Sequence, residues 1–389
     1  MGASGRIGTH IVSRTVSAGR ARVKDWRLPI VDRGSLSLRF LCFCFFAFLR
    51  FPPCLRASVP SCLLLLIGCD RSEKRSSTES VVVYCSVDEA VARPILDLYG
   101  RRRGIEVRAV YDSEAGKTTG LIQRIVRESQ SGRPHADVLW SGEVFNTIML
   151  AGTGLLEGYA PSSAADVPPR FKDAEGRWTG GAVRARVIAF DPQRTPASRA
   201  PMRWEDLAKP EIAGRLALAN PLFGTTRGHI AALFAGWGEQ RGAEFLRQLR
   251  GGGVQIVDGN SAAVRAVIAG RADFAATDSD DVWVAKRSGA SLDFVYPDLG
   301  SGGTLLTPCT AAIIRGGPNA AAARGLVDFL VSSEVERMLA QSEARHIPVR
   351  ESLRRELNIA WPAESPVDYD AAAAAMTAAD QVVREVLLR

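Results

Sequence analysis

Residues 81–111 read VVVYCSVDEAVARPILDLYGRRRGIEVRAVY. Val81 to Tyr84 form an apolar run of strand length. Val91, Ile95, Leu98 and Tyr99 then fall at i, i+4, i+7 and i+8, one face of a helix that Gly104 ends. Ile105 to Tyr111 alternates as a second strand. Working outward, Leu121, Ile122, Ile125 and Val126 mark a second helix, and Ala136-Asp-Val-Leu-Trp140 a third strand. This βαβαβ order calls for a largely parallel sheet covered on both faces, hence an α/β fold. Further strands are expected at 183–190, 215–219, 254–257, 274–277, 294–296 and 310–314. Helices are expected at 227–237, 241–249, 262–269, 320–331 and 333–341.

The 389 residues suffice for two units of ordinary size. The net charge of +7 is not spread evenly: residues 1–69 hold ten Lys/Arg and two Asp/Glu, and residues 70–389 hold 39 against 40. The body is therefore about neutral, which excludes the concentrated basic surface that nucleic acid requires. Five of the seven cysteines also lie in residues 1–69, leaving Cys85 and Cys309 beyond, with no zinc-type spacing. Arg50 and Arg56 precede the apolar run Cys62 to Ile67, which is too short to span a bilayer. Residues 1–69 read as an export signal with an over-extended or unusually long front, and residues 70–80 as a polar tether.

Leu66-Ile67-Gly68-Cys69 resembles the lipobox of bacterial lipoproteins, which implies a lipid on Cys69 and an exported, membrane-anchored protein. Asp70 resembles an inner-membrane retention signal. The succession Val82-Val-Tyr84, Gly104-Ile-Glu-Val107, Ala136-Asp-Val138, Gly154-Leu-Leu-Glu157, Arg184-Ala-Arg186, Asn260-Ser261 and Gly270-Arg-Ala-Asp273 resembles the periplasmic ferric-iron-binding proteins of the type II solute-binding superfamily. That resemblance covers roughly residues 80–350. It implies a two-lobed fold with mixed, mostly parallel sheets, a hinge of two crossing strands, and a ligand in the cleft. One lobe would hold 81–184 plus 306–350 and the other 185–305 plus 351–389, with the crossings near 184–186 and 305–308. The partners it implies are an ABC permease and ATPase, which read a closed, monomeric carrier.

In those relatives a His, a Glu and a Tyr pair ligate ferric ion. Here the His position falls at Asp88 and the Tyr pair at Asp280-Asp281, and Glu143 sits one residue late. Ferric ion accepts carboxylate oxygens, so Asp88, Glu143, Asp280 and Asp281 form a candidate metal set. Four uncompensated carboxylates in one cleft call for a cation between them, a metal or an organic amine. Gly224, Thr225, Thr226, Asn260 and Ser261 precede or open helices, where backbone N–H groups bind phosphate or carboxylate. In the family these two positions hold a synergistic anion, phosphate or carbonate, while other relatives bind phosphorylated sugars or phosphonates without metal. No organic cofactor is implied.

Each of these residues has a plainer reading. Ser86-Val-Asp-Glu89 fits a capping box, Asp278-Ser-Asp-Asp281 caps a helix at 282–287, and Thr225, Thr226 and Ser261 are good N-caps. Glu143 reads equally as a solvated first-turn acid. Of Arg184 and Arg186, at most one is expected to face the cleft, the other pairing at the surface. Cys85 and Cys309 are candidates for a disulfide, which export would permit. A competing function is a metal-assisted hydrolase using Asp280, Asp281 and His229, although no nucleophile elbow, His-rich metal motif or Gly-Lys-Ser/Thr loop is present.

Overall fold

In the computed structural model, which describes residues 79–112, 116 and 118–389, the opening stretch folds as β1 (Ser80–Cys85), α1 (Glu89–Arg103), β2 (Glu106–Tyr111), α2 (Thr119–Gln130) and β3 (Val138–Ser141). Next come α3 (Phe145–Gly152), β4 (Leu156–Glu157) and the long β5 (Thr179–Phe190). The middle of the chain alternates α4 (Pro210–Ala213), β6 (Leu216–Ala219), α5 (Gly224–Trp237), α6 (Glu239–Gly251), β7 (Gln255–Val257) and α7 (Asn260–Ile268). It continues through β8 (Phe274–Asp278), α8 (Ser279–Arg287) and β9 (Asp293–Val295) to β10 (Leu306–Ile314). The helices α9 (Ala320–Leu330), α10 (Ser333–Gln341), α11 (Glu351–Leu357) and α12 (Tyr369–Val382) close the chain. The chain separates into residues 1–72 and 73–389, and every described residue lies in the second unit. The export signal, Cys69 and nearly all of the tether fall outside the described residues.

Strand β1 runs parallel to both β2 and β3, so it has no free edge, and Val81, Val83 and Tyr84 are wholly buried. Alternate strand residues go to different apolar clusters: Val187 and Ala189 join one, Ile188 and Phe190 the other. The sheets therefore have a core on each face, as the α/β pattern requires. Helix α1 turns Ala92, Ile95, Leu96 and Tyr99 inward and stops at Gly104, whose φ of 67° is left-handed.

The strand order β2-β1-β3-β10-β5-β8-β6-β7 contains two parallel triplets, β2-β1-β3 and β8-β6-β7, joined by antiparallel strands. Strand β5 belongs to both lobes. Through Ala185 it pairs with β10, and from Arg186 it pairs with β8. At the same level the Arg186 N–H donates to Leu305 O at 2.8 Å, so both connections between lobes pass one point. The C-terminal segment, expected with the second lobe, divides. Glu356 pairs with Arg337 of α10 and Trp361 stacks on Phe171, both first-lobe partners, while α12 packs against α5, α6 and α3.

The disulfide does not form: Cys85 and Cys309 are both buried and are not bridged to each other. Cys85 is in β1 and Cys309 in β10, with β3 between them. Two strand spacings, about 9.6 Å, exceed the roughly 7 Å Cα limit of a disulfide.

Candidate functional site

Helix α5 starts where the chain leaves β6, and α7 where it leaves β7. Neither start can cap itself: the N-cap of α5 is Phe223 and that of α7 is Gly259, and neither provides a side-chain cap hydrogen bond. The backbone N–H groups of both first turns are thus left without an intrahelical acceptor. Gly224 has a φ of 52°, in the left-handed region that favours glycine, and this turn sets α5 against the cavity wall. Thr225, Thr226 and Ser261 lie inside the first turns and are not N-caps.

Both first turns border one cavity of about 30 Å³, room for roughly two water-sized spheres. From the first lobe, Ser86, Thr118, Gly142 and Glu143 line it; from the second, Gly224, Thr225, Thr226, Asn260, Ser261 and Asp281. Ser86 does not act in a capping box. The N-cap of α1 is Asp88, and Ser86 Oγ instead accepts from the Gly142 N–H at 3.0 Å and from Thr118 Oγ1 at 3.0 Å. All five residues of the expected anion set reach the cavity. Of the expected metal set only Glu143 and Asp281 line it, Asp280 is buried beneath, and Asp88 is half-buried outside the lining.

Arg184 and Arg186 depart most from expectation. Residues two apart on a strand share a face, so neither goes to the surface. Arg186 is wholly buried and pairs with Asp278 at 2.8 Å, its cross-strand partner on β8. Arg184 Nη1 pairs with Asp280 at 2.8 Å and lies 3.7 Å from Asp278, while its Nη2 donates to Gly142 O. His346 Nε2 lies 3.5 Å from the Asp280 carboxylate. Asp278 and Asp280 are therefore matched by cations of the protein itself. Asn260 Nδ2 (2.9 Å) and Thr225 Oγ1 both donate to Asp278, so the buried pair orients the side chains at the cavity wall.

Burial works against ionised Asp280, but Arg184 and His346 outweigh it and hold the carboxyl far below the usual range. Burial also opposes the His346 imidazolium. The Cys309 sulfur, 3.9 Å from Nδ1, and the Asp280 carboxylate reverse this and raise His346 to about 9. Because this lies above the ordinary 6.5, its contribution is complete below about pH 6.5 and is lost as pH rises through about 9. The unfolding free energy of the wild type, measured in denaturant, should thus fall over that window relative to His346→Gln. Parallel profiles would contradict the pairing.

Glu143 is not a solvated acid: it is 1 % exposed, and burial raises its carboxyl pKa despite the Asn146 N–H that Oε2 accepts at 3.2 Å. His229 does not line the cavity. It is buried with its ring centroid 4.1 Å from that of Trp204, and burial, aided by Arg186, keeps it neutral, so the hydrolase trio is not assembled. Among the described residues, oxygens of Asp278, Asp280 and Asp281 lie within 4.8 Å of one another, a spacing that could hold a metal ion. Sequence reasoning left Asp278, Arg184 and Arg186 out of the site. Their signal was present as two charge pairs of equal two-residue spacing, Arg184 and Arg186 within β5 and Asp278 and Asp280 across the junction of β8 and α8.

The sequence profile of bacterial extracellular solute-binding proteins matches residues 134–369. A Fe(3+)-binding periplasmic protein of Serratia marcescens is 28% identical over 219 residues, 56% of this chain and 61% of that protein. The iron-bound HitA structure from Pseudomonas aeruginosa superposes with a TM-score of 0.67 at 24% identity, covering 79% of this chain and 99% of that one. The periplasmic binding protein AfuA of Actinobacillus pleuropneumoniae, with fructose-6-phosphate bound, also gives a TM-score of 0.67, at 20% identity over 80% of this chain and 100% of that one.

Proposed function

The chain belongs to the bacterial extracellular solute-binding proteins, the substrate-binding component of ABC importers, and from that premise we propose that it captures a small oxyanion-bearing solute between its lobes. One observation carries the reading: the uncapped first turns of α5 and α7 and the Arg184 guanidinium line a single cavity, while the acids beneath are already paired. Helix N-termini and a guanidinium are anion-binding groups. Ligand bridging both lobes favours the closed form by its differential affinity, and a membrane permease with its ATPase then receives it. In this reading the carrier is a monomer, exported to the periplasm or cell surface and held near its permease by lipid on Cys69.

A second reading is ferric ion as the transported substrate, with phosphate or carbonate completing its shell. The three oxygens of Asp278, Asp280 and Asp281 within 4.8 Å favour it, as do the ferric-binding relatives. Asp281 and Glu143 would be the donors at the cavity wall, since Asp278 and Asp280 are engaged by arginine. Calorimetric titration of the purified full chain with inorganic phosphate, chelated ferric ion, and both together decides between them. Heat with phosphate alone supports the oxyanion reading; binding only when iron is present overturns it for the second.

A further inference from the structure

Strands β1, β2 and β3 run parallel, so the first lobe has two unlike ends. Their C-terminal ends lead to Ser86 and Gly142 at the cavity. The opposite end lies about 20 Å away, the length of a six-residue strand. There α1 finishes in Arg101, Arg102 and Arg103 just before β2. Arg127 lies in the last turn of α2, and the loop that follows carries Arg133 into β3. Arg315 comes after Ile314 of β10, whose N–H donates to Asp137 O at 2.9 Å beside the start of β3.

Most acids of this end already hold a cation: Glu334 pairs with Arg102, Glu106 with Arg108 and Glu128 with Arg124. Arg101, Arg103, Arg127, Arg133 and Arg315 are exposed and make no ion pair among the described residues, and the acids left to oppose them are Glu79 and Asp97. The near-neutral sum over residues 70–389 therefore averages over an uneven surface with a cationic end. The path of the chain indicates what that end meets. Glu79, whose carbonyl accepts from the Glu106 N–H at 2.9 Å, enters the fold here, and Cys69 lies ten residues earlier, a reach of at most about 36 Å.

Resting on the reading of Cys69 as a lipid anchor, we propose that this end of the first lobe docks on anionic phospholipid headgroups through Arg101, Arg103, Arg127, Arg133 and Arg315. Guanidinium groups take phosphate oxygens in bidentate fashion, and a headgroup layer presents such oxygens across a plane. A lipid chain and a basic patch together hold a protein more firmly than either alone. The contact turns the cavity end of the lobe away from the bilayer, toward arriving solute.

The test is sedimentation of the full chain carrying Cys69→Ala, so that no lipid contributes, with vesicles of phosphatidylcholine alone or with about one-third phosphatidylglycerol at low salt. Arg101→Gln, Arg103→Gln and Arg133→Gln together should weaken binding to the anionic vesicles by about 100-fold, since each arginine near such a surface contributes about fivefold. Arg247→Gln, Arg265→Gln and Arg287→Gln, exposed on α6, α7 and α8, remove the same charge elsewhere and should change binding little. Residues 1–69 are common to all these proteins, so their own charge cancels from the comparison. Should the first triple variant fail to fold, Arg101→Gln alone, with an expected loss of about fivefold, replaces it. Equal losses in the two triple variants, or none in the first, overturn the surface. Absence of labelled palmitate on Cys69 in cells overturns the anchor reading alone, and the vesicle comparison still decides the surface.

Discussion

Arg186→Leu is expected to lower the unfolding free energy by about 3–5 kcal/mol, because it leaves a buried carboxylate without its main counter-charge. Arg186 and Asp278 are both 0 % exposed at the side chain, and the pair is 2.8 Å long. Arg184 remains 3.7 Å from Asp278, which places the loss toward the lower end of that range. Asp278→Asn should behave similarly from the other side, and Arg186→Leu with Asp278→Leu together should cost less than either alone, since no charge is then stranded. By contrast, Arg102→Ala, which removes an exposed pair with Glu334, should change stability by no more than about 1 kcal/mol. Denaturant unfolding of the four variants measures this. A shift under about 1 kcal/mol for Arg186→Leu would show that the pair is not charge-matched as described. Phosphate affinity should fall in the same variant, because Thr225 and Asn260 take their orientation from Asp278.

That pair also shows where sequence reading stops. The strands and helices that frame the cavity were legible in apolar periodicity, and the starts of α5 and α7 in Phe223-Gly-Thr-Thr226 and Asn260-Ser261. Which charges meet was not, because Arg186 and Asp278 are 92 residues apart and their pairing depends on the antiparallel register of β5 on β8. Of the four carboxylates expected to be uncompensated, Asp280 has its cations in Arg184 and His346. Helix α3 escaped for a different reason: Phe145, Asn146, Thr147, Leu150 and Ala151 are all buried, so no polar face gives a period. Helix α12 is largely alanine between Tyr369 and Val382, a composition that favours helix without marking a buried side.

Helices α3 and α12 pack together with α5 where the lobes meet. Gly228 of α5 faces Phe145 of α3, and a Cβ built at Gly228 would lie 2.0 Å from the Phe145 ring. Beside it, Arg227 donates to Asn146 Oδ1 at 2.6 Å and to both carboxylate oxygens of Asp380 on α12. Tyr369, at the other end of α12, donates to Leu306 O at 2.7 Å where β10 begins and stacks edge-on against Phe145. Helix α12 thus ties the second-lobe helix to the crossing strand and to the first lobe. Gly228→Leu should keep the lobes apart while leaving each one folded. Overpacking of this kind costs about 1–3 kcal/mol, and here it falls on the closed form alone, so ligand affinity should drop by about 5- to 150-fold. Scattering should show a larger radius of gyration with ligand present than the wild type has, at nearly unchanged unfolding free energy. Phe145→Ala removes the obstructing ring and should restore part of the affinity when combined with Gly228→Leu. If the single variant binds and compacts as the wild type does, closure does not run through this contact, and the link from α12 to the cavity by way of Arg227, Asn146 and Glu143 is then structural only.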